Sequence, residues 1–249
     1  MMATAALSFQ KSFGRFRVGR LLVAVVLCVF VARPPAAAAD DTQFWLVGRI
    51  DHALSERWAG QLLARFRFDD DVSRSKDFML RNLSHWQFGH FDLGVGYDYL
   101  YSFVDSGTIE HRPFQTVEFS WQPVQSMLDD LVIKNRIRLD ERFIADVDGV
   151  VVRLRHRLRI THGLKTGWYL AVSNELFANL NDRGSGPPYG FEQNRLRFAP
   201  GRTIAPGLRA EFGYEWHVSA GRDRANVHRY ILFFSFSAAP ATYRAGRGD

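Results

Sequence analysis

The stretch that most constrains the fold is Phe91–Phe103, FDLGVGYDYLYSF, in which large apolar and aromatic side chains take every second position. Small and acidic residues, among them Asp92, Gly94, Gly96 and Asp98, stand between them. Because successive side chains of a strand point to opposite faces, the pattern predicts a strand with one aromatic face. It is long enough to supply the roughly 9–11 residues that a tilted strand needs to cross a bilayer. A membrane barrel, or a soluble barrel with its faces exchanged, fits this strand alone.

The same period-two alternation recurs along the rest of the chain after residue 40, where no helical period is found. The predicted strands are Gln43–Asp51, Trp58–Asp69, Lys76–Phe88, Phe91–Val104, Arg112–Trp121, Leu131–Phe143, Val151–Thr161, Trp168–Asn179, Phe191–Ala199, Leu208–His217 and Val227–Phe236. Tight connections alternate with longer ones rich in Asp, Gly, Ser and Asn, as in an outer-membrane barrel, although Gln122–Asp130 is long on the short side.

The predicted fold class is therefore all-β, a transmembrane antiparallel up-and-down β-barrel of 10–12 strands. Single-chain bacterial barrels usually have an even number of strands, so we expect ten or twelve rather than eleven. Either Gln43–Asp51 lies outside the wall, or one further strand is missing from the prediction.

The N-terminal segment has the features of a secretory signal peptide. Basic residues between Lys11 and Arg20 precede the apolar run Leu21–Ala32, and the small residues Ala36–Ala39 follow it. The run is too short to span a bilayer as a helix. We predict cleavage near Ala39, which divides the chain into a signal peptide (1–39), an outer-membrane β-barrel (40–236) and a polar C-terminal tail (237–249).

Cleavage would change the charge of the chain. The full sequence has 32 basic and 26 acidic residues, and five of the basic ones precede Asp40, which leaves 27 against 26. A nearly neutral chain lacks the basic surface of a nucleic-acid-binding protein. Cys28, the single cysteine, would also be removed, so no disulfide is expected. The expected partners are membrane lipid and the barrel-assembly machinery, with small anions as an alternative and no nucleic acid.

Four tryptophans support the membrane interpretation. They all fall at the short-turn ends of their strands, in phase with the apolar face: Trp58, Trp86, Trp121 and Trp168. Such an aromatic girdle is typical of a membrane interface, whereas a soluble core has no reason to collect its tryptophans at one height. The predicted location is the outer membrane of a Gram-negative-type envelope.

The two faces of Phe91–Phe103 predict opposite tolerances to substitution. Tyr97→Arg, on the lipid face at mid-strand, should destabilise the protein by about 2–4 kcal/mol. Gly96→Ser, on the lumen face, should cost much less.

The lumen face is rich in cations. By strand phase its basic residues are Arg65, Arg67, Arg81, Lys134, Arg136, Arg138, Arg142, Arg153, Arg155, Arg157, Arg159, Arg195, Arg197, Arg209 and Arg229. The acidic residues in phase are fewer: Asp92, Asp98, Glu118, Asp140, Glu175, Glu211 and Glu215. We define the basic wall as Lys134, Arg136, Arg138, Arg153, Arg155, Arg157, Arg159, Arg195 and Arg197. Its neighbouring cations repel unless carboxylates or anions lie between them.

This wall leaves two functions open. Arginine–carboxylate ladders would make a narrow, closed barrel with a structural role. Anions held in the lumen, above all by Arg153–Arg159 on one strand with Arg136 and Arg138 on the next, would make a small anion-preferring, porin-like pore.

A membrane-embedded hydrolase is a third alternative, although the chain is not expected to be an enzyme. Such enzymes need a Ser or His beside a base. Ser84 and His85 are adjacent and point to opposite faces, and His156 falls on the lipid face. Glu215 and His217 share a face near a rim, a geometry that suits a general base. No catalytic, metal or cofactor residue is predicted, because no metal-ligand spacing or phosphate-binding glycine loop occurs.

Five short motifs connect the chain with a known family. They are EHRPFQ at Glu110–Gln115, NRIRLDERF at Asn135–Phe143, RLRHRLRI at Arg153–Ile160, ELFANL at Glu175–Leu180 and QNRLRF at Gln193–Phe198. In this order the chain resembles the bacterial family of domain of unknown function 2490, over roughly Phe44–Phe236. The resemblance implies an outer-membrane β-barrel without an assigned activity, so it carries over no functional residues. Members tend to end near the last aromatic strand residue, whereas this chain continues as the polar tail Ser237–Asp249.

Overall fold

A computed structural model describes residues 41–104, 107–123, 130–184, 186–220 and 226–239. Within these residues the chain forms eleven β-strands and one 3₁₀ turn at Lys165–Gly167. The strands are β1 (Asp41–Ala53), β2 (Trp58–Asp69), β3 (Arg74–Phe88), β4 (Phe91–Ser102), β5 (Ile109–Trp121), β6 (Leu131–Ile144), β7 (Val151–Gly163), β8 (Trp168–Asn179), β9 (Gly190–Ala205), β10 (Leu208–Ala220) and β11 (Asn226–Ala238). Among the described residues, no helix is long and apolar enough to cross a membrane.

The strands close into a single barrel in sequence order. Consecutive strands pair antiparallel, and β1 pairs with β11 in parallel, with Phe44 opposite Leu232 and Gly48 opposite Phe236. The prediction of a β-barrel of 10–12 strands is confirmed, but the preference for an even number is wrong. An odd number of up-and-down strands leaves the first and last strands running in the same direction, so only a parallel pair closes the wall. The doubtful segment Gln43–Asp51 belongs to β1, a full wall strand.

The two ends of the barrel differ in their connections. We call the end at which β2, β4, β6, β8 and β10 finish the long-loop end. The short-turn end is the one at which β1, β3, β5, β7 and β9 finish, and its fully described connections are residues 54–57, 89–90, 164–167 and 206–207. The last of these is a two-residue Pro206–Gly207 turn, in which Gly207 has a φ of 79° that favours glycine. Because the strand number is odd, β1 begins at the long-loop end and β11 ends at the short-turn end.

The outer surface of the barrel is largely apolar. Leucine, isoleucine, valine and phenylalanine side chains project from strands all round the wall, with Leu80 48% and Val95 60% exposed. Several polar side chains on this surface bond to one another, such as Asn174 to Asn194 at 2.8 Å and His156 Nε2 to Asn135 Oδ1 at 3.2 Å. The charged residues are instead concentrated inside, which is the reverse of a soluble barrel.

The predicted termini are only partly described. The predicted signal peptide, residues 1–39, lies outside the described residues, as do residues 240–249 of the predicted tail. Strand β11 continues to Ala238, two residues beyond its predicted end at Phe236.

Candidate functional site: the charged lumen

A continuous group of largely buried charges, which we call the central network, consists of Arg81, Asp98, Arg138, Asp140 and Arg153. Asp98 and Asp140 are each 0% exposed. Arg81 donates two hydrogen bonds to Asp98, at 2.7 and 2.8 Å. Arg138 donates to Asp98 at 2.6 Å and also to Asp140, which accepts from Arg153 at 2.6 Å. Each buried charge therefore has an opposite charge in hydrogen-bond contact, as burial requires.

The ring of Phe114 packs into the central network. The Arg138 guanidinium carbon lies 3.5 Å from the ring centroid, and that of Arg81 lies 5.3 Å away. The ring fits because Gly96 lies beneath it; a Cβ there would meet the Phe114 ring and approach the Asn82 carbonyl oxygen to 2.6 Å. The glycine on the small face of β4 thus makes room for an aromatic side chain in the lumen.

Most of the remaining basic wall is also paired with carboxylates. Lys134 and Arg157 donate to Glu118 (2.7 and 3.1 Å), Arg136 and Arg155 donate to Glu175 (2.8 and 2.7 Å), Arg159 donates to Glu211, and Arg197 donates to Glu215. Several of these bonds join strands that are not neighbours, since Arg157 on β7 reaches Glu118 on β5, and Arg159 reaches Glu211 on β10. These hydrogen bonds connect non-neighbouring strands inside the lumen and thereby stabilise the wall.

Toward the long-loop end a second set of pairs continues this pattern. Glu110 accepts from Arg112 at 2.7 Å and from Arg142 at 2.6 Å. Glu192 accepts from Arg142 and Arg153, both at 3.1 Å. Glu110, Arg112 and Glu192 are not among the residues predicted to face the lumen. Arg112 could have been found, because it is in phase with Glu118, whereas Glu192 is out of phase with Arg195 on the same strand.

A different arrangement surrounds Trp45, which is 1% exposed and points into the lumen. The guanidinium carbons of Arg65, Arg67 and Arg195 lie 5.0, 5.1 and 5.4 Å from the centroid of its ring. We call these four residues the Trp45 cluster. The His217 ring meets the indole edge-on at 5.3 Å. Trp45 is not among the residues predicted to face the lumen, although it is in phase with Asp51 on β1.

The pairing of arginines in the Trp45 cluster is incomplete. Arg67 donates to Asp77 at 2.6 Å, whereas Arg65 lies 3.9 Å from the same carboxylate, beyond hydrogen-bond distance. The buried Arg65 Nε has no hydrogen-bond partner among the described residues. Arg195 forms no ion pair with a described carboxylate, and its Nε donates to the neutral Gln193 Oε1 at 3.2 Å. Asp77 was missed from the sequence, although it is in phase with Arg81.

Near the parallel seam apolar side chains pack beside the charged ones. Trp45 packs in one buried cluster with Ala171, Ala199, Ile231 and Phe233. These residues come from β1, β8, β9 and β11, so the cluster lies beside the parallel pair that closes the barrel.

The residues considered for catalysis are distributed as follows. Glu215 and His217 are buried and hydrogen-bonded to each other, and Glu215 also accepts from Arg197. His85 points inward and contacts Asp92 through Nδ1 at 2.6 Å, while the neighbouring Ser84 lies on the outer face. Among the described side chains, no group of three His, Cys, Asp or Glu residues is placed to hold a metal ion. The hydrolase alternative stays a prediction from sequence.

The tryptophans of the predicted girdle lie on the outer face at the short-turn end. Trp58, Trp121 and Trp168 are more than one-third exposed, and Trp86 stands opposite Trp58 in the β2–β3 pairing. Trp216, on the outer face of β10, is near the long-loop end.

No curated protein matches the chain significantly. The model of one protein family, described as a protein of unknown function (DUF2490), matches residues 42–228. This match covers well over half of the chain and confirms the resemblance found in the five motifs. The chain therefore belongs to the DUF2490 family.

Proposed function

We propose that the protein is an outer-membrane β-barrel whose lumen is closed by ion pairs and whose role is structural. The observation that carries this proposal is the distribution of side chains, with a largely apolar outer wall around a charged interior. In water the exposed apolar area of such an outer wall would be far larger than that of the apolar patches on soluble proteins. In a bilayer it would face hydrocarbon, and the closed strand order would leave no edge unpaired.

The tryptophans and the connections support one orientation in the membrane. Outer-membrane barrels have short periplasmic turns and longer extracellular loops. The short-turn end, with Trp58, Trp86, Trp121 and Trp168 on its outer face, would then face the periplasm. The N-terminus of β1 would lie at the extracellular end, and the C-terminus of β11 would lie at the periplasmic end.

The hydrogen bonds between non-neighbouring strands and the packing of the central network both support a closed lumen. Barrels of about eight strands are just wide enough for side chains to fill, whereas those of 16–18 strands leave an aqueous channel. Eleven strands lie closer to the first class. Arg138 and Phe114, both almost fully buried, occupy the middle of this interior.

Cell fractionation tests the membrane location. We expect the protein in the outer-membrane fraction, extracted by detergent and not by high salt or alkaline carbonate. Recovery as a soluble periplasmic protein would contradict the proposal.

Planar-bilayer recording tests the closed lumen. We expect the parent protein to conduct no measurable current, and the Arg138→Ala/Phe114→Ala variant to conduct, because both substitutions remove volume from the central network. Leu80→Ala, which removes volume from the outer face, is the matched control and should remain silent. Steady conductance of the parent would contradict the closed lumen.

A small anion-preferring pore is the second candidate, and the incomplete pairing of Arg65 and Arg195 favours it. A parent channel with an anion-selective reversal potential in a salt gradient would support this candidate over the closed barrel. The conductance should then fall in Arg155→Gln/Arg157→Gln, if the basic wall lines the path.

A further inference from the structure

We propose that the Trp45 cluster is a binding site for a phosphate group, held between Arg65 and Arg195. The basic wall as a whole does not suggest this position, because most of its cations are bonded to carboxylates. The site instead follows from Arg65 and Arg195, two partly buried arginines that share one aromatic ring and have no hydrogen-bonded carboxylate among the described residues. It does not depend on the membrane location proposed above.

Positive charge is concentrated around Trp45. Arg65, Arg67 and Arg195 all approach the Trp45 ring to 5.4 Å or less, so three positive charges surround one indole. Asp77 is bonded to Arg67, and Glu215 is shared between Arg197 and His217. Glu175, which also attracts Arg195, is bonded to Arg136 and Arg155. Cation–π contacts with the indole offset part of the repulsion, but they leave the net charge unchanged. A bound anion would neutralise it.

Arg65 and Arg195 retain hydrogen-bond donors that could bind an anion. A guanidinium that packs on an aromatic ring keeps its N–H groups at its edge, where they match the oxygens of a carboxylate or phosphate. Arg65 has a buried Nε without a partner among the described residues, and Arg195 uses its Nε on a neutral amide. Two such forks suit an anion with several acceptor oxygens and more than one negative charge, which favours phosphate over a carboxylate or chloride.

The position of the Trp45 cluster along the barrel also suits a binding site. Trp45 is four residues from the start of β1, and its register partner Arg67 is two residues from the end of β2. The cluster thus lies toward the long-loop end of the lumen, away from the short turns. Phe177 lies next to the cluster, with its ring centroid 4.4 Å from the Arg195 guanidinium carbon.

Calorimetric titration of the full-length protein in detergent, at constant ionic strength, tests the proposal with three probes: inorganic phosphate, acetate and chloride. We expect saturable binding of one phosphate per chain, weaker binding of acetate and the weakest binding of chloride. Glycerol phosphate in a fourth titration distinguishes the source, because binding of it as well as of phosphate would show that the site accepts esterified phosphate. Equal binding of all anions, or no saturable binding of phosphate, would overturn the proposal.

Single variants locate the site. Arg65→Gln and Arg195→Gln should each weaken phosphate binding by about 10- to 100-fold, the effect of losing hydrogen bonds to a charged group. Arg155→Gln is the matched control for Arg195→Gln: its guanidinium carbon lies 4.5 Å from the same Phe177 centroid, but it is bonded to Glu175. Phosphate binding should fall much less in this control, because Arg155 belongs to the basic wall but is already bonded to Glu175. Equal losses in Arg155→Gln and Arg195→Gln would overturn the assignment of the site.

Arg195→Lys provides a test that does not depend on removing the charge. It keeps the cation and should fold whenever the parent does, but it lacks the planar fork of donors. We expect intermediate phosphate affinity, with the preference over chloride reduced. Parent-like affinity and preference in this variant would contradict the role given to the guanidinium.

Discussion

The central network and the Trp45 cluster lie in the same lumen but stabilise their arginines differently. In the central network each guanidinium is hydrogen-bonded to a buried carboxylate, and the Phe114 ring adds to contacts that are already neutralised. In the Trp45 cluster the aromatic ring is the shared partner, and Arg65 and Arg195 lack a bonded carboxylate among the described residues. The first arrangement is complete by itself, whereas the second retains excess positive charge.

This difference separates two roles that the sequence assigns to one face. A buried ion pair is costly to form and still more costly to break from one side, so a completed network rigidifies the barrel without offering a binding site. An incompletely paired cluster is less stable by itself, but it can bind an anion. The basic wall therefore has a structural part and a part that is suited to binding.

The largest effect is expected from Asp140→Ala in the central network. The substitution leaves Arg138 and Arg153 without one of their carboxylates, and it should destabilise the folded protein by about 3–5 kcal/mol. Asp69→Ala is the matched control: its partners Arg74 and Lys76 are 52% and 27% exposed and keep contact with water when the carboxylate is lost, so the cost should be about 1 kcal/mol or less. Urea unfolding in detergent, followed by heat-modifiable gel mobility, measures both. Equal costs would mean that the central network has no special structural role.

A smaller effect is expected from arginine substitutions on the outer face. Its size should be the same on the strand that carries Arg81 of the central network and on the strand that carries Trp45. Leu80→Arg on β3 and Leu46→Arg on β1 should each cost about 2–4 kcal/mol in lipid vesicles, because both place a charge on the hydrocarbon-facing surface. Leu54→Arg, in the connection at the short-turn end, should cost about 0–1 kcal/mol. Folding free energies measured in vesicles test this order. A tolerated arginine at position 80 would argue against the proposed membrane location.

Gly96→Ser should destabilise the protein by about 1–3 kcal/mol, because overpacking displaces Phe114 or the backbone beneath it. The strand pattern alone predicts a low cost for this substitution, since Gly96 faces the lumen. The structure corrects that expectation through the close approach to Phe114 and the Asn82 carbonyl oxygen. Gly48→Ser, where an added Cβ has no neighbour within 4 Å, is the control and should be nearly neutral. Thermal unfolding that ranks the two variants equally would contradict this account.

The smallest effect is expected in the Trp45 cluster. Arg195→Gln should change stability by less than about 1 kcal/mol in phosphate-free buffer, because Arg195 has no hydrogen-bonded carboxylate to lose among the described residues. The lost contacts with the Trp45 and Phe177 rings are offset by relief of repulsion from Arg65 and Arg67. Arg155→Gln, over the same Phe177 ring, loses hydrogen bonds to Glu175 and should cost about 1.5–3 kcal/mol. Urea titrations of the two variants compare a paired with an incompletely paired arginine at one ring. A larger loss for Arg195→Gln would reverse the comparison.

Much of the barrel could be predicted from the sequence because a strand in a barrel wall has a fixed side-chain period. Each of the eleven predicted segments corresponds to a strand of the structure. Arg81, Arg138 and Arg153, which were assigned to the lumen by phase, lie inside the barrel in contact with carboxylates. The family could also be identified from sequence, since its motifs are local.

The closure and the pairing inside the lumen depended on the tertiary structure. Alternation tells which face a residue occupies, but not which strand meets which at the seam, so the parallel β1–β11 pair was not predicted. Glu192 faces the lumen out of phase with Arg195, and the β8–β9 pairing contains a register shift between Phe177 and Ala178 that no alternation rule anticipates. The local sequence determined the strands and their faces, because both follow from backbone geometry within a few residues. The curvature of the closed wall decided which arginines are paired, because ion pairs such as Arg159–Glu211 join residues on distant strands that only the barrel brings together.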